Sequence, residues 1–285
     1  MVAMTRETFV APAVGGALAG WVEGAGLPLL LVHGGPGLSY DVIDGLEDEL
    51  LPGYRVASFQ QRGIAPSTTE GPFTVQQHIA DVVAVLDHLG WERAILVGHS
   101  WGGHLVIHCA AAVPHRLAGV VAVDPLGAVG DGGNAAFEAE LLSRVPAESR
   151  TLAAELDARA QRGEGSDDDA LEGLRLMWPA YYADPAAAPA MPVLLRLSTP
   201  AYAGTFGDAL QRLPELEKSL PGIRIPVGVV AGVDSPIPVA AARETVERIP
   251  GAWLIEVPGA GHFPWQEAPG CVRRAVDRIS RLRGS

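Results

Sequence analysis

The feature that most constrains this chain is a rhythm. Short, almost wholly apolar runs alternate with segments whose apolar residues recur at helical spacing. A strand apolar at successive positions is buried on both faces, and such strands belong to a mostly parallel sheet covered by helices. The runs are 18–24, 28–33, 54–59, 93–98, 117–124, 225–232 and 252–258, with 7–12 as a weaker edge candidate. Between them, 74–90 is the plainest helix. Thr74 and Gln77 predict a capping box, Val75, Ile79, Val82, Val83, Leu86 and Leu89 form one stripe, and Gly90 ends it. Later helices are expected at 238–249 and 268–283.

The rhythm breaks once. From about 130 to 213 no strand pattern appears, and the segment is rich in Ala, Glu, Asp and Pro. Within it, Ser166 followed by Asp167, Asp168 and Asp169 predicts a capped helix start whose acids suit the positive end of the dipole. The expected organisation is therefore an α/β core of residues 1–129 and 214–285, interrupted by a helical cap of residues 130–213. No internal repeat is visible.

The chain has 285 residues, 48% of them apolar, enough for one such domain with an insertion. Its formal net charge of −12 argues against nucleic acid and anionic membranes as partners, since both attract Lys/Arg patches. No run approaches the roughly 18 apolar residues of a membrane span. The N-terminus lacks the basic block of a signal peptide, and Glu7 and Pro12 interrupt it. Two cysteines, Cys109 and Cys271, make no disulfide framework and suit a reducing compartment. These features predict a cytoplasmic protein whose partner is a small molecule. They leave the oligomeric state open.

Three motifs carry chemistry. In "ILVGHSWGGHL" a strand runs into Gly98-His99-Ser100-Trp101-Gly102 and then a helix, the context a nucleophile elbow requires. Ser100 then stands at a helix N-terminus, which favours developing negative charge. In "LLLVHGGPG" a buried strand ends in a glycine loop. Acyl transfer needs two main-chain donors for the oxyanion, and these are expected from Trp101 and from Gly35, with Gly34 as the alternative. In "IEVPGAGHFPWQE", His262 follows the last strand. Of eight histidines it alone falls late in the chain on a strand-end loop. His78, His88 and His115 read as solvated. His104 and His108 read as facing away from a base position, and His33 and His99 as structural groups in tight loops.

Together "HGGPG", "QQRG", "GHSWGG" and "GHFPWQE" resemble the α/β-hydrolase fold, and within it the proline-iminopeptidase-like branch, over roughly 27–125 and 225–270. The resemblance implies a serine hydrolase with a Ser-His-acid triad and no metal or cofactor. Two positions depart from that branch. Gln60 stands where it usually has aspartate, and His99 replaces an elbow glycine. Branch peptidases hold a substrate ammonium with acidic cap residues, and no motif here assigns that role.

The acid is the open point. The fold usually places it after the strand before the histidine strand, and in "AGVDSPIP" that position is Ser235, not Asp234. A serine supplies no charge to steady an imidazolium. Asp124, closing the run 117–124, keeps the chain order Ser100, acid, His262. The candidates are Asp124, then Asp234, with Asp131 behind them. Tyr40, Trp178, Tyr181 and Phe263 are the candidate substrate-binding residues. Trp101, Tyr182 and Trp265 are further aromatic candidates. The expected activity is cleavage of a small ester, lactone or amide through an acyl-enzyme. The alternatives are a proline-iminopeptidase-type aminopeptidase, a lyase or cyclase for a natural-product intermediate, and a non-enzymatic small-molecule receptor.

Overall fold

The computed structural model of the chain describes residues 6–284. The first five residues of the N-terminal segment read above lie outside them. Eight strands form one sheet: β1 (Glu7–Ala13), β2 (Gly16–Gly24), β3 (Leu27–Val32), β4 (Tyr54–Phe59), β5 (Ala94–His99), β6 (Leu117–Val123), β7 (Val227–Gly232) and β8 (Trp253–Val257). Each lies within two residues of an expected run. Their spatial order is β1-β2-β4-β3-β5-β6-β7-β8. β2 pairs antiparallel with β1 and β4, and every other pair is parallel. All residues of β5 and β6 are buried, as central strands covered on both faces must be. β1, the weak candidate, alternates buried and exposed positions along the sheet edge.

The helices are α1 (Val75–His88), α2 (Trp101–Ala112), α3 (Asn134–Arg144), α4 (Ala147–Gln161), α5 (Asp167–Met177), α6 (Thr199–Ser219), α7 (Val239–Arg248), α8 (Pro264–Glu267) and α9 (Cys271–Gly284). One apolar cluster fills each face of the sheet. A third, of Leu141, Val145, Ala153, Met177 and Ala180, joins the helices that follow β6.

Two local expectations need revision. At α1 only half of the capping box forms. Thr74 accepts from the Gln77 N–H at 3.3 Å, while the Gln77 amide turns to Asp81 instead. Ser166 and Asp169 do form the full reciprocal box at α5. The inserted block is helical as expected, but α6 runs unbroken through Pro214 and past the expected boundary at 213/214. Its first half faces the cavity described below, while Leu216 packs in a sheet-face core. One amphipathic helix thus serves both regions.

Parallel strands bring their following loops to one end. The loops after β3, β5, β6, β7 and β8 therefore meet along five neighbouring strands.

Candidate active site

Ser100 sits between β5 and α2 with φ 54° and ψ −120°. Among the described residues only Ser100 and Asp124 (φ 44°) are non-glycine residues with positive φ. Such backbone costs of order 1–3 kcal/mol per residue and persists only where its surroundings impose it. Here they do. The Ser100 N–H bonds Val123 O at 2.9 Å and the Asp124 N–H bonds Val230 O at 2.7 Å, so the sheet ladder holds both turns. The two flanking glycines have a different cause. A Cβ on Gly98 would lie 2.1 Å from Gly102 O, and one on Gly102 would lie 2.1 Å from Val32 O. Gly98 is glycine because the elbow folds back on its own strand, and Gly102 because the elbow is pressed against β3.

The His262 ring packs 4.6 Å from that of His99, the neighbour of Ser100, and it meets the acid that sequence left open. His262 Nδ1 is 2.6 Å from Asp124 Oδ2, both side chains buried. A carboxylate only accepts, so Nδ1 carries the proton and Nε2 keeps its lone pair for a proton from elsewhere. Asp124 is fully engaged. Oδ1 accepts from the Gly232 N–H at 2.9 Å, and Oδ2 also accepts from the Ser235 hydroxyl at 2.6 Å. Ser235 Oγ itself accepts from the Ile237 N–H at 3.1 Å. The serine at the usual acid position therefore donates to the acid on the neighbouring strand.

Asp234 and Asp131 are not brought to His262. Asp234 turns outward, and its carboxylate accepts from the Gly259 N–H at 2.8 Å. Asp131 is exposed and caps the start of α3 through the Gly133 and Ala135 N–H groups. Those bonds hold its carboxyl below the usual range.

The glycine loop flanks the elbow as expected. Trp101 opens α2, so its N–H is one that a helix leaves unpaired. Gly35, left-handed at φ 56°, borders the same cavity as Ser100 and Trp101. Gly34 instead packs under the elbow, where a Cβ would lie 2.7 Å from His99 Nδ1 and 3.0 Å from Ser100 Cβ. The run after β4 braces this loop. Gln60 accepts from the Tyr40 N–H and donates to Leu38 O. Gln61 donates to His33 O and accepts from the Trp101 indole. Arg62, wholly buried, is paired with Asp81 at 2.6 Å. Gln60 fills the place of the usual aspartate as a neutral brace.

A cavity of about 110 Å³ opens over Ser100. Its wall includes Leu126, Phe137, Tyr181, Phe206, Leu210 and Ile237, largely apolar and aromatic. Of the four expected substrate-binding residues, only Tyr181 borders it. Tyr40 lines a separate cavity near Trp21 and Asp44. Trp178 and Phe263 are 4% and 2% exposed and stack in an aromatic core with Tyr182 beneath the site. Size and aromaticity suit a core as well as a pocket, so the sequence did not separate them.

The histidines also differ from expectation. His78 is buried, bonded to Thr205 on α6 at 3.0 Å, and meets the Trp101 ring edge-on. Burial drives it down to about 3. His104 borders the cavity. Burial lowers it to about 4 although it bonds Leu126 O. His99 Nε2 donates to His262 O at 2.9 Å, and burial, then the electrostatic effect of the adjoining His262 imidazole, keeps it well below the usual range. The His262 N–H in turn bonds Tyr181 O at 2.8 Å. Gln61, His104 and the Ser235 hydroxyl were the groups that sequence reasoning missed. Only His104 carried a signal, since it lies one helical turn from Ser100 and so on the same face.

With this geometry in view, comparison with known proteins is decisive for the family. The model of the α/β hydrolase fold matches residues 28–269. The chain belongs to that family. It is 29% identical to the putative carbamate hydrolase RutD of Caulobacter sp. strain K31, over 80% of this chain and 81% of that one. It is 34% identical to the proline iminopeptidase of Clostridioides difficile over 79 residues, 27% of each chain. Several matches at 34–35% identity span under a third of the relatives' own length. A thermophilic esterase from Thermogutta terrifontis superposes with TM-score 0.65 and 25% identity, covering 98% of both chains. Among the described residues no helix is long and apolar enough to cross a membrane.

Proposed function

We propose that this α/β hydrolase cleaves a small carboxylic ester, lactone or amide through an acyl-enzyme on Ser100. The observation that carries the reading is the buried His262–Asp124 bond of 2.6 Å beside the strained Ser100 turn. Ser100 Oγ attacks the carbonyl carbon and its proton passes to His262 Nε2. The N–H groups of Trp101 and Gly35 receive the oxyanion. Collapse expels the leaving group, which takes the proton from His262. Water, deprotonated by His262, then attacks the acyl-enzyme, releases the acid and restores Ser100. Asp124 steadies the imidazolium at both stages. The named activities of the similar esterase and putative carbamate hydrolase support a carboxylic or carbonic acid derivative as substrate. The unpaired, buried thiols of Cys109 and Cys271 support a cytoplasmic setting.

The test is labelling with a serine-directed phosphonate, followed by mass mapping and p-nitrophenyl ester assays. Label on Ser100 and loss of turnover in Ser100→Ala are expected. Turnover retained in Ser100→Ala points to lyase or cyclase chemistry. Tight ligand binding without turnover points to a receptor.

One observation favours aminopeptidase action as a second reading. Behind the cavity wall, Glu138 and Asp157 both accept from the Gln161 amide, at 3.4 and 3.0 Å, and the Tyr202 hydroxyl reaches Asp157. Burial, then the Glu138 charge, pushes Asp157 up to about 6. A substrate ammonium would relieve such a pair. On that reading Asp157→Asn abolishes cleavage of proline p-nitroanilide and spares simple esters.

A further inference from the structure

The cavity over Ser100 contains few polar side chains, and most are already committed. The Asp131 carboxylate caps α3, and the Tyr202 hydroxyl points to Asp157. Among the described residues no lysine or arginine borders the cavity. His104 is different. It lies on α2 one turn beyond Ser100, and its N–H closes the first helical bond to Ser100 O at 2.9 Å. Its Nδ1 lies 3.3 Å from Leu126 O. A carbonyl only accepts, so Nδ1 holds the ring proton. Nε2 is then a lone-pair acceptor without a hydrogen-bond partner among the described residues. It is not one of the fully buried unpartnered atoms, and the residue borders the cavity.

We propose that His104 is a specificity residue whose Nε2 accepts a hydrogen bond from a hydroxyl or amide N–H of a neutral, mainly hydrocarbon substrate. This rests on the hydrolase reading of the same cavity. The physical argument is one of complementarity. An apolar wall takes hydrocarbon, and the absence of a basic residue leaves a free carboxylate uncompensated. A polar group inside such a wall must find a partner or lose its hydration for nothing. Burial holds the ring neutral, so it accepts at neutral pH and does not pair with an anion. A site built to accept a substrate hydroxyl discriminates against the analogue that lacks it.

The test uses p-nitrophenyl hexanoate and its 2-, 3- and 6-hydroxy forms. Three proteins are compared: wild type, His104→Asn and His104→Gln. Asn keeps a donor for Leu126 O but removes the acceptor at Nε2, whereas Gln returns an acceptor near that atom. Wild type should favour at least one hydroxy ester over the parent by about tenfold in kcat/KM, mainly through KM. H104N should lose that preference, read within each protein as the ratio of kcat/KM for the hydroxy ester to that for the parent, and H104Q should recover part of it. Absence of any hydroxyl preference in the wild type overturns the proposal, as does its survival in H104N. If no ester is hydrolysed, the hydrolase reading fails by itself, and binding decides the role of His104. Calorimetry with benzyl alcohol and toluene should then show a hydroxyl preference in wild type that H104N lacks. Equal affinities, or no binding of either, overturn it.

Discussion

The loops after β6 and β7 look alike in sequence and differ in everything that matters. Each ends a buried strand with an aspartate, Asp124 in one and Asp234 in the other. Asp124 is 1% exposed, held at φ 44°, and shared among Gly232, Ser235 and His262. Asp234 is exposed, and its carboxylate accepts from the Gly259 N–H instead. The difference comes from the one-residue step. On β7 the inward position after Gly232 belongs to Ser235, so the inward group there is neutral, and the charge comes from the next strand. The charge and its brace have exchanged strands, yet they meet at one oxygen, Asp124 Oδ2.

Mutation breaks or sharpens this contrast. Asp124→Asn should lower kcat on a p-nitrophenyl ester by roughly ten-thousand-fold, the scale of losing a triad acid. Thermal melting should show the variant folded. Next in size is a repair. Adding Ser235→Asp to Asp124→Asn should regain more than tenfold of that loss, because Ser235 Oγ already meets the oxygen that holds His262. No gain would mean that the β7 loop braces the acid but has no room to replace it. Ser235→Ala alone should cost about tenfold in kcat with KM little changed, since a buried carboxylate then loses one charge-assisted donor. Asp234→Ala should leave kcat within about threefold and lower Tm by roughly 2 °C, the cost of one exposed turn bond. If the last variant, and not the first, abolishes turnover, the assignment of the two loops is reversed.

The frame was legible because strands buried on both faces read as unbroken apolar runs, so β4 was predicted at its observed bounds. Ser100 and His262 stood out as candidates because each follows a strand in a loop with glycines that admit close backbone approach. Asp124 emerged indirectly, from the serine that occupies the usual acid position. The rest depended on what packs against what. Trp178 and Phe263 are aromatic like Tyr181, but only the fold shows that they stack under the site while Tyr181 faces it. His78 sits on the buried stripe of α1, and its polarity suggests a solvated group, whereas in the fold its Nε2 bonds Thr205 of α6. Helix α6 crosses the expected boundary at 213/214, with Pro214 inside it.

The bond from the His262 N–H to Tyr181 O has a mechanical consequence. Nearby, Glu267 accepts from the N–H groups of both Ala183 and Gly261, and the Tyr182 hydroxyl donates to Gln266. This corner of the roof is riveted to the segment that carries His262, the proposed general base, so lifting it would drag the imidazole off its carboxylate. Any opening that leaves the machinery in register must therefore spare this corner.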